Sequence, residues 1–352
     1  MRFAHPPLLL AALLPLTLLP LSASAQPGNV QLSNVQLSNV QVYGLVDVYL
    51  GRSATSGVPV RGNVINSGGM TTSYWGVGGV ESLGGGQSAT FAIEGFMRVD
   101  TGEQGRTPGE GQFTRAAYVG LNGNWGATKI GRVPNPLFQA SAQMNPYGFS
   151  TRLSPLMTQM WIVPYGSSSA GDSGWSNAVH YTSPVVNGFN VVAQYGLGEH
   201  AANSPGNNKV AVLKYTGSAL SAAVAAQDIG YGIGITNAAP SQRTYFAGAA
   251  YDFKVVKAYA SFARNTQEGS GRTTRTTHLG LQVPHGAGRW LLAWARAHER
   301  TFVKAPFRRD TAAAGYDYNL SLRTDVYASY LYDKVSTAAD GNTVALGIRH
   351  KF

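Results

Sequence analysis

The sequence predicts an all-β protein, a 16-stranded antiparallel transmembrane β-barrel. Three observations predict it. Only 12% of the residues are charged, about half the fraction usual in soluble proteins. Beyond the N-terminus no apolar run reaches the roughly 18 residues that a membrane-spanning helix needs. Apolar residues recur instead at every second position over many segments, which is typical of strands with one face in lipid.

The N-terminus has the pattern of a secretory signal peptide over residues 1–25. It has a basic start at Arg2, an apolar stretch over 8–21 and a small-residue cleavage site at 23–25. A short membrane anchor is the alternative, and two prolines within the apolar stretch argue against it. Residues 26–39 repeat the sequence Asn-Val-Gln-Leu-Ser. They are predicted to form a low-complexity extension, either periplasmic or continuous with the first strand.

Residues 40–352 are predicted to form the barrel. Strands are expected at 40–52, 70–83, 87–99, 112–122, 126–133, 174–184, 187–197, 207–216, 218–228, 242–253, 255–266, 274–284, 288–299, 311–319, 322–334 and 341–352. The connections alternate between tight turns and longer loops, and the longest covers about 134–173. Short turns on one rim and long loops on the other are typical of barrels inserted from the periplasm.

The last strand shows the two faces most clearly. Val344, Leu346 and Ile348 fall on one face, and Thr343 and Ala345 fall on the other. The chain then ends on an aromatic residue, which suits a closing strand whose end lies at the membrane interface. Polar or small residues on the inner face of a barrel this wide predict a lumen that contains water.

Four sequence features together resemble the general diffusion porins of Gram-negative outer membranes, especially those of β-proteobacteria. They are the segments 42–47 (VYGLVD), 74–86 (YWGVGGVESLGGG) and 113–121 (FTRAAYVGL) followed by Gly131-Arg132, and the terminal Phe352. The resemblance covers about residues 40–352. It implies an outer-membrane location, a homotrimer, one water-filled pore per subunit and a third long loop that folds inward to narrow the pore.

The resemblance also implies a basic cluster on the pore wall that faces carboxylates on the inward loop. Arg132 matches the position of a cluster arginine, and a surface arginine at a strand end is the alternative. Tyr74 and Gly78 occupy positions where the family usually has basic residues. The presumed constriction loop contains Arg152, and it is expected to bring no carboxylate.

Parity within the strands places two acidic residues in the lumen, Asp47 and Glu94. Arg98 shares the parity of Glu94 and lies near the outer rim, where it could form an entry vestibule. Arg115 shares parity with the lipid-facing Val119, so a lipid or subunit interface is expected for it. Basic groups without opposing loop acids predict a weak to moderate anion selectivity.

No enzyme, cofactor or metal site is expected. His298 with Glu299 and Glu199 with His200 are the closest pairs of histidine and acid, but neighbours along a strand face opposite ways. The net charge of the chain is +10. A nucleic-acid partner is not expected, because the basic residues are scattered singly and form no basic patch.

The expected partners are small hydrophilic solutes and anions, outer-membrane lipid and lipopolysaccharide. Arginines expected at rims or loops, where they would meet anionic headgroups, are Arg243, Arg264, Arg272, Arg275, Arg308 and Arg309. A substrate-specific channel for sugars or a particular anion remains the alternative. The 18 tyrosines could line a path that binds the substrate, and they could equally form the aromatic belts at the membrane interfaces.

Overall fold

The structure is a computed structural model that describes residues 39–58, 61–162, 171–198, 206–232, 241–302 and 306–352. The predicted signal peptide, residues 1–25, lies outside the described residues. So does the predicted extension 26–39, apart from its last residue. None of the described residues forms a helix long and apolar enough to cross a membrane.

The described chain is almost entirely β-structure. Its strands are β1 (Gln41–Ala54), β2 (Arg61–Ser67), β3 (Tyr74–Gly84), β4 (Gln87–Arg98), β5 (Glu103–Gln104), β6 (Ala116–Gly123), β7 (Gly126–Pro134), β8 (Gly174–Thr182), β9 (Phe189–Gly196), β10 (Asn208–Thr216), β11 (Leu220–Ile229), β12 (Gln242–Asp252), β13 (Lys257–Gln267), β14 (Thr273–His285), β15 (Gly288–Arg300), β16 (Phe307–Asn319), β17 (Thr324–Val335) and β18 (Gly341–Lys351). Two short helices, α1 (Pro136–Gln143) and α2 (Pro155–Trp161), lie between β7 and β8.

The sheet closes on itself as an antiparallel barrel. β1 pairs with β18 from Leu45 opposite Lys351 to Arg52 opposite Val344. β2 and β3 pair with successive parts of β1 and form one interrupted wall strand. β5 is a two-residue ladder beside β4. The wall therefore has sixteen strands, as the sequence predicts.

Strand β2 corrects the sequence analysis, which expected no strand between residues 52 and 70. Residues 61–67 pair with residues 48–54 of β1, and residues 68–73 leave the ladder. Pairing with β1 resumes at Tyr74, opposite Leu45. The break is held by Asp47, whose carboxylate accepts hydrogen bonds from three consecutive amides of that segment. A Cβ at Gly69 would collide with the hydroxyl of Tyr327, so the segment can take this path only with glycine there.

The alternation predicted from the sequence is confirmed. In β18, Val344, Leu346 and Ile348 are 45–51% exposed, whereas Thr343 and Ala345 are buried. The same division of outer apolar and inner polar or small side chains continues around the barrel. The outer face therefore presents apolar side chains to its surroundings, as a lipid-facing wall requires.

The segment 134–173 contains the two helices, and each begins in the way its sequence dictates. The Asn135 side chain caps α1 by accepting the amide hydrogen of Leu137 at 2.9 Å. The Ser154 side chain caps α2 through the amide of Met157 at 3.3 Å. Proline follows each cap, where its fixed φ suits the first turn.

Apolar side chains attach the helices to the barrel wall. α1 contacts β9 to β12, and α2 contacts β14 to β16. Leu137, Met157 and Trp161 join Val212 and Phe246 in one buried cluster. The wall residues in this cluster are thus apolar, whereas the sequence analysis expected polar or small residues on the face of the wall opposite the lipid.

Candidate functional site

A cavity of about 590 Å³ lies between the segment 134–173 and the wall. Its described lining contains one carboxylate, that of Asp172, and five basic side chains. The basic residues are Arg106, Arg115, Arg289, Arg349 and Lys351. The surface of this cavity is therefore rich in cationic groups.

Two arginines of the cavity wall stand in front of buried carboxylates. Arg289 donates to Asp317 at 2.7 Å, and Arg349 donates to Asp325 at 3.0 Å. The Arg289 side chain is 37% exposed, but that of Asp317 is only 1% exposed. Each guanidinium faces the cavity more than its partner does, so the pairs present their positive ends to a solute.

Arg115 belongs to the same lining. Its guanidinium forms an ion pair with Glu94 and lies 3.6 Å from the ring centroid of Tyr74. The expectation that Arg115 faces lipid with Val119 is wrong. β6 begins one residue after Arg115, and the alternation of side chains does not extend beyond the end of a strand.

A cluster of ion pairs, here called the hub, lies at the end of the segment next to β8. It consists of Arg106, Glu110, Arg132 and Asp172. One oxygen of Asp172 accepts a hydrogen bond from Arg106 at 2.6 Å, and the other oxygen pairs with Arg132. Arg106 also binds Glu110. The expectation that this segment carries no carboxylate is therefore wrong at Asp172, which is its penultimate residue.

The hub changes the pKa values of its carboxyl groups. Burial opposes ionisation of Asp172, but Arg106 and Arg132 outweigh burial and hold its pKa below 3.8. The pKa of Glu110 is likewise lowered, because its bonds with Arg106 outweigh burial. Burial disfavours the charge of Arg106, and its bonds to both carboxylates outweigh burial and raise its pKa.

Comparison with known proteins identifies the family. A sequence profile of the Gram-negative porins matches residues 10–338. The chain belongs to this porin family. Porins are channels of the outer membrane through which solutes diffuse passively, so the barrel is an outer-membrane channel.

Relatives and solved structures agree with this assignment. The porin is 25% identical to an outer membrane porin protein of Bordetella pertussis over 333 residues, which cover 80% of this chain and 82% of the relative. It is 27% identical to outer membrane porin protein 32 of Delftia acidovorans over 295 residues, covering 81% and 80%.

Solved structures show the same fold. The anion-selective porin from Comamonas acidovorans superposes with a TM-score of 0.76 at 24% identity, covering 90% of this chain and all of that one. The trimer form of OmpT of Vibrio cholerae superposes with a TM-score of 0.67 at 13% identity, covering 90% and 99%. At these identities the structures establish the fold alone.

Of the residues predicted for the pore, Arg132 lies beside the cavity and not in its lining. Its side chain binds the carbonyl of Thr114, the hydroxyl of Ser176 at 3.0 Å and the carboxylate of Asp172. Arg132 therefore contacts the cavity lining through Asp172.

The two acidic residues predicted for the lumen both point inward, and both are bound. Asp47 is fully buried and accepts the hydroxyl hydrogen of Tyr327 at 2.6 Å, besides the three amides. Glu94 is bound to Arg115 and to the hydroxyl of Tyr43 at 2.6 Å. Both carboxylates lie behind the surface that a solute would meet.

Two predicted arginines differ in their surroundings. Arg98 pairs with Glu103 at 2.8 Å where β4 ends. Arg152 is exposed, makes no ion pair with a described residue and lies beside the hydroxyl of Tyr49. Of the arginines expected at rims or loops, Arg272 lies just before β14 and binds Glu299, and Arg309 of β16 is buried and binds Asp333.

Sequence reasoning missed Arg289, Arg349 and their partners. Arg289 stands directly opposite Asp317 across β15 and β16, and Arg349 stands opposite Asp325 across β17 and β18. Directly opposed charges of opposite sign stabilise a hairpin. Folding each predicted hairpin about its turn would have brought these pairs together.

Proposed function

We propose that this porin is a passive channel for small hydrophilic solutes with a weak to moderate preference for anions. One observation carries the proposal: guanidinium groups face the cavity, and most of their carboxylate partners lie buried behind them. A lining of exposed cationic groups lowers the barrier for anions and raises it for cations. The anion-selective porin among the similar structures supports the same reading.

The segment 134–173 is the proposed constriction. Tyr147 donates a hydrogen bond to the carbonyl of Leu291 at 3.2 Å, and Ser150 donates one to the carbonyl of Gly69 at 2.6 Å. These acceptors belong to β15 and to the break between β2 and β3. Anchors on separated parts of the wall support a segment that crosses the lumen and limits the width of the path.

The proposed selectivity residues fall into two groups. Lys351 and Arg152 make no ion pair with a described residue, so their charge is uncompensated. Arg115, Arg289 and Arg349 form ion pairs, but each of them is more exposed than the carboxylate that it binds.

The remaining predicted residues act less directly in this proposal. Arg132 holds Asp172 in place, and Arg98 adds charge at the entry rim. Asp47 and Glu94 hold neighbouring residues in place through hydrogen bonds, and their negative charges reduce the positive potential of the cavity.

Neutralising Lys351 tests the selectivity. Lys351→Gln is expected to reduce the chloride-to-potassium permeability ratio about twofold, because one uncompensated charge leaves the cavity lining. Reversal potentials of single channels in a salt gradient measure this ratio. The control Lys254→Gln removes a charge from the turn after β12, outside the cavity lining, and should leave the permeability ratio unchanged. Cation preference in the unmodified channel would contradict the proposal.

A second candidate is a channel specific for organic anions, and one observation favours it. Phe138 and Phe149, with ring centroids 6.0 Å apart, line the cavity whose wall carries the arginines. Phe149 is 44% exposed. A site with an apolar face and a cationic face suits an aryl carboxylate better than a sugar or an inorganic anion.

Benzoate separates the two candidates. A specific channel is expected to pass benzoate at least about twofold faster than its size predicts from acetate and larger aliphatic carboxylates, with saturation. Phe149→Ser should abolish this excess and leave the chloride conductance unchanged, because only the apolar face is lost. Permeation that falls smoothly with solute size would leave the general diffusion pore as the function.

The wider organisation of this porin is also proposed. Residues 1–25 would be removed as a signal peptide, and the mature chain would form a homotrimer with one pore per subunit. The trimer form of OmpT among the similar structures supports oligomerisation. Outer-membrane lipid and lipopolysaccharide would surround the apolar outer face.

A further inference from the structure

Two lysines face the lumen near the rim of the tight turns. Lys129 lies near the start of β7 and Lys214 near the end of β10. Both belong to the inward set of side chains, because their neighbours Ile130 and Leu213 are 58% and 43% exposed on the outer face. Neither lysine lines the cavity of the candidate site. The rim of the tight turns is the periplasmic one in barrels of this kind, so Lys129 and Lys214, here called the lumen lysines, lie at the periplasmic mouth.

The wall around the lumen lysines does not neutralise their charges. Strands β6 to β10 contain no acidic residue, and neither lysine forms an ion pair with a described residue. Lys129 stands opposite His180 across β7 and β8, and Lys214 stands opposite Asn190 across β9 and β10. Five adjacent strands therefore carry positive charge at the mouth without a carboxylate to compensate it.

The polar groups beside Lys129 bind one another. The amino group of Lys129 lies 4.5 Å from the ring centroid of Tyr118, which attracts the ammonium but does not neutralise it. His180 is 5% exposed, and its ring nitrogens form hydrogen bonds with Gln194 at 3.0 Å and with Thr182 at 3.1 Å. Because these groups satisfy one another, the ammonium of Lys129 remains available to a solute.

Anions with more than one negative charge are the solutes that this region fits. The attraction between an anion and an uncompensated positive charge increases in proportion to the charge of the anion. In the cavity, Arg289 and Arg349 are bound to carboxylates, which oppose the approach of a second negative charge. The lumen lysines have no such partners. They lie on β7 and β10 with two strands between them, so they act together through their field and not through one shared contact.

We propose that the lumen lysines form a second anion site, at the periplasmic mouth, that favours multivalent anions such as dicarboxylates over monovalent anions of the same size. The proposal rests on the proposed anion-preferring channel and names the class of solute that it attracts. Fixed positive charge on the walls of a narrow passage raises the local concentration of oppositely charged solutes.

Butyrate and succinate test this proposal, because both are four-carbon carboxylates and they differ by one charge at pH 7. The measurement is the inhibition of the single-channel chloride current by each anion. The double variant K129Q/K214Q is compared with K254Q/R323Q, which removes two charges from the tight turns of the same rim. The chloride conductance before either anion is added shows that each variant forms an open channel.

Succinate is expected to inhibit the unmodified channel and K254Q/R323Q at a concentration at least about fivefold lower than butyrate does, and this difference should fall below about twofold in K129Q/K214Q. An undiminished difference in K129Q/K214Q would overturn the proposal, because the preference would then arise in the cavity. Equal inhibition of the unmodified channel by the two anions would overturn it as well. If that channel still preferred chloride to potassium, the proposed function would stand and only the second site would fail.

Chemical restoration of the charge gives a second measurement. The chain contains no cysteine, so Lys214→Cys introduces its only thiol. Reaction with a thiosulfonate that carries a trimethylammonium group should restore the preference for succinate that K214C loses. Reaction with a thiosulfonate that carries a sulfonate should reduce that preference further. The same effect from both reagents would mean that bulk and not charge controls the mouth, which would overturn the proposal.

Discussion

Replacing Asp47 by alanine is expected to lower the free energy of unfolding of the barrel by roughly 3–5 kcal/mol. The carboxylate is fully buried and accepts the amide hydrogens of Gly69, Met70 and Thr71 at 2.7–3.1 Å and the hydroxyl hydrogen of Tyr327 at 2.6 Å. Alanine would leave four donors without this acceptor, three of them buried and that of Thr71 partly buried. Unfolding in denaturant, with the porin in detergent micelles, measures the loss.

Two variants show that the loss comes from the acceptor role. Asp47→Asn retains one carbonyl oxygen, so it should lie between the wild type and alanine. Glu81→Ala removes an exposed carboxylate elsewhere in the wall and should stay within about 0.5 kcal/mol of the wild type. If Asp47→Ala were as stable as Glu81→Ala, Asp47 would not hold the break between β2 and β3.

Asp47 also illustrates where prediction from the sequence ends. Its parity within β1 predicts an inward side chain, which is correct, but the sequence does not show that residues 68–73 wrap around it. That contact joins residues more than twenty positions apart and replaces ladder hydrogen bonds with bonds to a side chain. Period-two patterning detects strands and their faces, but it does not detect a strand that leaves the ladder and returns.

The outer face could be predicted because lipid acts on every outward residue in the same way. Val119 and Leu346 are 61% and 51% exposed, as the alternation of their strands requires. The cavity could not be predicted in this way, because its charges are set by pairs such as Arg349 with Asp325, whose meeting depends on register. Arg106 lies outside the regular strands, where no periodicity indicates the direction of a side chain.

The hub at Asp172 leads to the second prediction. Asp172→Asn is expected to raise the chloride-to-potassium permeability ratio roughly threefold to fivefold, because a negative charge leaves the cavity lining and two guanidinium groups lose its compensation. Arg106 keeps its ion pair with Glu110, but among the described residues Arg132 keeps only the carbonyl of Thr114 and the hydroxyl of Ser176. Reversal potentials at pH 7 measure the change.

Acid should reproduce the effect of this substitution only at low pH. Because Arg106 and Arg132 hold its pKa below the ordinary value of aspartate, Asp172 takes up a proton only at a lower pH than an ordinary aspartate does. Its contribution to stability is complete above the unfolded pKa and is lost as pH falls through the lower folded value. The selectivity of the wild type and of Asp172→Asn should therefore differ at pH 5 and converge only when the pH falls below the ordinary pKa of aspartate. Convergence already at pH 5 would mean that Arg106 and Arg132 do not hold this carboxylate in its charged form.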